Sequence, residues 1–223
     1  VYVYPDAQRK HNHTDLTAAL SSQTRLSKHT WWENRLSYSH NRLRAGPMSG
    51  DINTSGRYNQ ALGLHTINDY LRLDEQRFRW QMRSVLSAHV PRLLGEHQFK
   101  IGFEWTVTAQ RVFSSMTGGG RYVDRDVDPV NPDSGVGLPY RFQQLVNPND
   151  TIAVADQEVL FLQDVYKPFD RLTIRPGVRL VSSRVRNHQG QMLVISNTIS
   201  PRIGISWDPW GDGKSRIQAG YYQ

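Results

Sequence analysis

The stretch Phe78-Arg79-Trp80-Gln81-Met82-Arg83-Ser84-Val85-Leu86 decides the fold class. Phe78, Trp80, Met82 and Leu86 fall on one side of an extended chain, and Arg79, Gln81 and Arg83 on the other. Successive side chains of a β-strand point to opposite faces, so this is a strand with one oily and one wet side. In a soluble protein the oily side covers a core. In a transmembrane barrel it meets lipid, and the charged side lines water.

The same alternation recurs along the chain. Strands are expected over roughly 16–26, 30–44, 75–90, 97–113, 157–167, 172–185, 199–208 and 215–223. In the fourth, Phe99, Ile101, Phe103, Trp105 and Val107 share one face, and Gln98, Lys100, Gly102, Glu104 and Thr106 share the other. The fifth is apolar on both faces at Val159-Leu160-Phe161-Leu162, so its inward side stays open.

Connection lengths choose between core and lipid. Ser27-Lys28-His29, the segment from Pro91 to Glu96, Pro168-Phe169-Asp170-Arg171 and the segment from Pro209 to Lys214 are short. The connections over roughly 45–74, 114–156 and 186–198 are long, and loops above about 15 residues are uncommon in compact domains. Membrane barrels have this asymmetry by construction, with short turns on the periplasmic side and long loops outside. Several strands exceed the roughly 9–11 residues that cross a bilayer, and Trp31, Trp32, Trp207, Tyr221 and Tyr222 gather near strand ends as interface girdles do. The alternative is a soluble or surface β-rich module, a sandwich or lipocalin-like barrel, binding carbohydrate or protein through long loops.

The 223 residues suit one or two domains, and the absence of cysteine excludes disulfides and thiolate metal sites. No apolar run is long enough for a transmembrane helix, and a mean hydropathy of −0.60 is compatible with alternating strands. Val1-Tyr2-Val3-Tyr4-Pro5 shows no targeting signal, so either the mature chain starts here or the sequence is cut from something longer. The net charge of +7 does not indicate nucleic-acid binding: 22 arginines outnumber 5 lysines and are spread singly along the strand pattern.

Three segments resemble the barrel of TonB-dependent outer-membrane receptors, in the branch often carrying a carboxypeptidase-regulatory-like N-terminal domain. They are Gly95-Glu96-His97-Gln98-Phe99-Lys100-Ile101-Gly102-Phe103-Glu104, the run from Phe161 to Arg179, and the run from Ser200 through Gly211-Asp212-Gly213-Lys214 to Tyr222. The resemblance implies a 22-stranded barrel with a plugged lumen, and uptake of a scarce ligand energised by the TonB complex. With about eight strands, no plug and no coupling box, residues 1–223 are expected to be one partial barrel domain. The fold expectation is therefore all-β: an antiparallel up-and-down meander of long strands, open and curved in isolation. Outer-membrane lipid, the plug and remaining strands of a parent chain, the TonB complex and an unidentified ligand are the implied partners. No cofactor is implied.

An arginine in the lipid face at mid-bilayer costs about 2–4 kcal/mol. Arg77, Arg79 and Arg83 of the third strand, Arg175 and Arg179 of the sixth and Arg202 of the seventh are therefore assigned to the interior as candidate ligand- or plug-contacting residues. Pairing with acidic neighbours on the wall is the plainer alternative. Gly211-Asp212-Gly213-Lys214-Ser215 looks like the end of a phosphate-binding loop, but Asp208 replaces its first glycine and a strand follows, so a hairpin turn is expected. Asp124, Asp126 and Asp128 have calcium-loop spacing, yet Pro129 and Gly135 occupy the positions needing glycine and glutamate. A looser calcium site or a solvated acidic tip remains. His11, His13 and Asp15 share a face without a third histidine, and Gly118-Gly119-Gly120 reads as a flexible loop. No nucleophile elbow occurs, and His89 and His97 flank a short turn away from the outer rim, so no catalysis is expected.

Overall fold

The computed structural model describes residues 2–128, 130–131, 133, 136–145 and 149–222. Eight long strands form one sheet: β2 (Arg9–Ser27), β3 (Thr30–Pro47), β6 (Leu71–Val90), β7 (Glu96–Met116), β10 (Asn149–Phe169), β11 (Leu172–Asn187), β12 (Met192–Trp207) and β13 (Ile217–Tyr222). Their order is β13-β12-β11-β10-β7-β6-β3-β2, so each long strand pairs with the preceding and following long strands. It is the expected antiparallel meander, and it does not close on itself.

The strands are longer than the alternation alone suggested. β6 has 20 residues and β7 and β10 have 21 each, about twice what a bilayer crossing needs. The extra turns of pleat lie at the ends joined to the long connections: β10 begins at Asn149, not near Gln157, and β12 begins at Met192, not near Ile199. The added end of β12, Met192-Leu193-Val194-Ile195, is apolar on both faces, and that of β10 mixes Ile152 and Val154 with Asp150 and Asp156, so neither shows the alternation that marks a strand with one oily side.

The segment before β2 and the long connections after β3 and β7 form a second sheet. β1 (Tyr2–Val3), β4 (Gly56–Asn59), β5 (Leu64–Thr66), β8 (Arg121–Val127) and β9 (Gly137–Gln143) pair in the order β1-β5-β4-β8-β9. β1–β5 and β4–β8 are parallel, and β4–β5 and β8–β9 antiparallel. Gly118 has φ +56, and a Cβ there would overlap Ser55; one on Gly120 would lie 2.5 Å from the Gln143 carbonyl oxygen. The triple glycine is thus a packed turn and not a flexible loop.

The chain divides into two compact units, one of residues 1–16, 40–78 and 110–152 and the other of 17–39, 79–109 and 153–223. The first holds the five-stranded sheet, with Val123, Thr66, Asn59 and Asp124 buried. The second is a two-faced sheet. On one face Ile101, Phe103, Leu160 and Leu162 are 39% to 49% exposed although strongly apolar, and Trp32, Leu36, Trp80 and Met82 lie on the same face by alternation. A patch of that size needs a partner surface. The side left open for the fifth strand is settled: Val159 is buried and Phe161 opposes Arg179 on the polar face, while Leu160 and Leu162 point to the apolar face.

Candidate functional site

On the polar face of the second unit, Glu104 of β7 holds two guanidinium groups, one per carboxylate oxygen. Arg83 of β6 approaches at 3.2 Å and Arg179 of β11 at 3.3 Å. Register brings Arg202 alongside, because Gly177, two residues from Arg179, opposes Arg202 on β12. With no side chain at Gly177, the Arg202 stem lies across it: a Cβ there would be 3.2 Å from the Arg202 Cγ. Arg83, Glu104, Gln163, Arg179 and Arg202 line a cavity of about 150 Å³. Three guanidinium groups line this cavity with one carboxylate, which binds two of them, so this part of the wall is cationic and presents donors suited to carboxylate or phosphate oxygens.

The other interior candidates are separate from it. Arg77 pairs with Glu75 of its own strand at 2.7 Å. Arg79 and Arg175 are exposed and have no carboxylate partner among the described residues. The structure thus brings together three of the six arginines. A second cavity on the polar face, of about 360 Å³, includes Trp31, Glu33, His89 and Lys100 near the short turns.

Asp124 is not a solvated loop tip. It is fully buried on β8, its two oxygens take Arg57 of β4 at 2.6 and 3.1 Å, and it also accepts the Gly137 N–H at 3.1 Å. Asp128 accepts the Val130 N–H, and Asp126 is exposed. Pro129 and Gly135 lie outside the described residues. His13 faces Asp15 at 3.4 Å, both exposed. Among the described residues no group of three or more metal-ligating side chains gathers.

The other face of the five-stranded sheet stacks cations on rings. Arg121 lies 4.5 Å from the Tyr70 centroid and 5.7 Å from that of Tyr58, which leans on His65 at 4.8 Å. Burial, and then the charge of Arg121, hold the His65 imidazole below its ordinary pKa. The turn after β12 is the expected hairpin: Asp208 accepts the N–H groups of Gly211 at 2.7 Å and Gly213 at 2.9 Å, and both glycines have positive φ.

Charges also occur on the apolar side, which the sequence reading missed. In the second unit Arg184 of β11 reaches Glu158 at 3.0 Å, and Arg186 reaches Asp156 at 3.2 Å. All four share the face of Leu160, Leu162 and Leu180, from one step beyond the Leu160–Leu180 pair at Glu158 to three steps beyond it at Arg186. In the first unit Arg42 of β3 makes a two-pronged bond to Asp74 of β6, at 2.9 and 2.5 Å. Counting parity from Trp32 and from Trp80 would have placed these on the apolar side.

A family model described as TonB dependent receptor-like, beta-barrel, matches residues 2–222. None of the curated protein sequences matches the chain. Solved structures do share its fold. The outer membrane transporter YddB from Escherichia coli has a TM-score of 0.69 at 14% identity, over 99% of this chain and 26% of that one. BauA, the ferric preacinetobactin receptor from Acinetobacter baumannii, has a TM-score of 0.61 at 10% identity, over 99% and 34%. The pyoverdine outer membrane receptor FpvA from Pseudomonas aeruginosa PAO1 has a TM-score of 0.57 at 13% identity, over 90% and 27%. The chain spans about a quarter to a third of the length of these proteins. The bare apolar face is thereby explained as a lipid-facing wall of the outer membrane, and the chain belongs to the TonB-dependent receptor β-barrel family.

Proposed function

We propose that residues 1–223 are a section of one receptor barrel whose parent protein takes up a scarce ligand, using energy delivered through the TonB complex. The observation that carries this reading is the two-faced meander, apolar outside and arginine-rich inside, over the span the family model matches. The plug and remaining strands belong to the parent, and this section neither transports alone nor catalyses a reaction. Arg83, Arg179 and Arg202 offer anion-directed donors to the lumen, where they meet plug carboxylates or an anionic ligand; Arg77, Arg79 and Arg175 extend the same cationic lining. BauA is a receptor for ferric preacinetobactin, and an anionic ferric ligand suits this lining. A soluble loop-binding module is not favoured, because it would leave the apolar face in water.

The chain has no cysteine, so introduced thiols report topology cleanly. Gln189→Cys lies in the connection between β11 and β12, and Leu94→Cys in the turn between β6 and β7. In intact cells expressing the full-length parent, a membrane-impermeant maleimide is expected to label position 189 and not position 94. Equal labelling of both, or the reverse pattern, would remove the barrel reading.

A further inference from the structure

We infer that the turn between β6 and β7 is a lipid-inserting foot, which places Leu93 and Leu94 among the phospholipids of the inner leaflet. Both leucines are exposed, Leu94 to 91%, and Leu94 has a φ of +56. A residue other than glycine or asparagine adopts that left-handed region only at a cost. Glycine at 94 would make the same turn without it, so what leucine contributes there is its apolar side chain. An exposed leucine on a strained backbone has to be held in place by its surroundings.

The restraints come from the apolar face. His97 shares its side of β7 with Ile101 and Phe103, and Tyr166 shares its side of β10 with Leu160 and Leu162. The Tyr166 hydroxyl donates to the Leu94 carbonyl at 3.0 Å, and His97 Nε2 lies 3.0 Å from the Leu93 carbonyl oxygen. His97 is itself fixed by Asp164, 2.6 Å from Nδ1, and its ring stacks on those of Tyr166 at 4.3 Å and Phe99 at 5.1 Å. Gly95 allows the close approach, because a Cβ there would lie 2.5 Å from the Lys167 carbonyl oxygen. The turn is thus drawn over the edge of the apolar face and away from the lumen. All of these residues belong to the second unit.

The occupant follows from what that face already meets. The wall behind the foot is lipid-facing, and short turns mark the periplasmic side of such barrels, next to the inner leaflet. The apolar surface continues along the neighbouring short turns. Phe169 opposes Leu172, which opposes Trp207 on the side of Ile203 and Ile205, and Trp210 lies between β12 and β13. Phe169, Trp207 and Trp210 are all exposed. Arg92, exposed and with no carboxylate partner among the described residues, sets a cation beside the leucines at the level of the lipid phosphates. The foot rests on the barrel topology proposed above, in which this turn is periplasmic.

The test uses the full-length receptor reconstituted in phosphatidylcholine vesicles. A single fluorophore is attached to Leu94→Cys or, for comparison, to Lys28→Cys in the polar turn between β2 and β3. The probe is phosphatidylcholine brominated on the upper part of its acyl chains, which quenches a fluorophore lying among lipids. The label at 94 is expected to be quenched at least about threefold more than the label at 28. Equal quenching at both positions, or none at 94, would overturn the foot. If Leu94→Cys does not assemble, a label on Leu93→Cys decides by the same comparison. Maleimide labelling in intact cells reports the topology separately. A position 94 that is protected in cells but not quenched in vesicles removes the foot alone and leaves the barrel reading standing.

Discussion

The Phe161 ring of β10 covers Gly102 of β7 so closely that a Cβ at 102 would overlap it. The glycine is the seat of an aromatic side chain on the otherwise polar face, and it accounts for the one strand whose apolar residues lie on both sides. Gly102→Ala must displace the ring, at an overpacking cost of about 1–3 kcal/mol. Gly102→Ala is expected to lower the thermal unfolding midpoint of the full-length receptor in detergent, and Phe161→Leu to restore part of the loss. A double variant no better than Gly102→Ala would show that the ring is not what the glycine accommodates.

Lys100 and Ile101 are neighbours on opposite faces of β7. Ile101→Arg puts a guanidinium into lipid at about 2–4 kcal/mol near mid-bilayer, whereas Lys100→Glu changes only the watery side. Membrane assembly, followed by heat-modifiable mobility of the full-length receptor, is expected to drop sharply for the first and little for the second. Equal tolerance would reverse the assignment of faces.

Glu104 is shared by two arginines that are each more than one-third exposed. Exposed pairs contribute about 0.2–1 kcal/mol each, so Glu104→Gln is expected to change unfolding by little more than about 1 kcal/mol while making the lumen wall more cationic. Denaturant unfolding of the variant measures this, and a loss several times larger would mean the cluster is a structural strut.

The Arg57–Asp124 pair differs in kind, because Asp124 is fully buried and Arg57 only 21% exposed. Arg57→Met strands the carboxylate, with an expected cost of about 3–5 kcal/mol. Hydrogen exchange should rise across β4 and β8 while that of β11 and β12 stays unchanged. Protection that persists in β4 and β8 would contradict the role given to the pair.

The Asp208 carboxyl is held below its ordinary value of 3.8, first by the Gly213 N–H and further by those of Gly211 and Trp210 and by Arg171. The folded form favours the ionised group, so the contribution is complete above 3.8 and is lost as pH falls through the lower folded value. The stability gap between the unmodified chain and Asp208→Asn, measured in the full-length receptor, is expected to be constant near neutrality and to close in strong acid. A gap that widens on acidification would contradict this sign.

The meander was legible because alternation survives wherever a strand has one oily side: all eight long strands follow from residues such as Trp80 against Arg79 or Ile101 against Lys100. The short strands within the long connections were not legible. Gly56–Asn59 and Leu64–Thr66 are held by pairing with distant segments and by the Arg57–Asp124 bond, and neither gives a periodic signal. The interior arginines were found by the cost of charge in lipid. The same rule, applied without a boundary for the lipid, overlooked Arg42, Arg44, Arg184 and Arg186, which lie on the apolar side but beyond its apolar stretch. Asp124 was misread because the sequence shows its acidic neighbours and not the arginine 67 positions away that occupies it.

The parallel pairing of β4 with β8 joins two connections separated by two entire long strands. Neither connection is a complete module. A chimera receiving one loop from a relative inherits half a sheet and an orphaned partner for the other half. During divergence the two outer loops are therefore expected to be exchanged, lengthened or lost together, as a single heritable block.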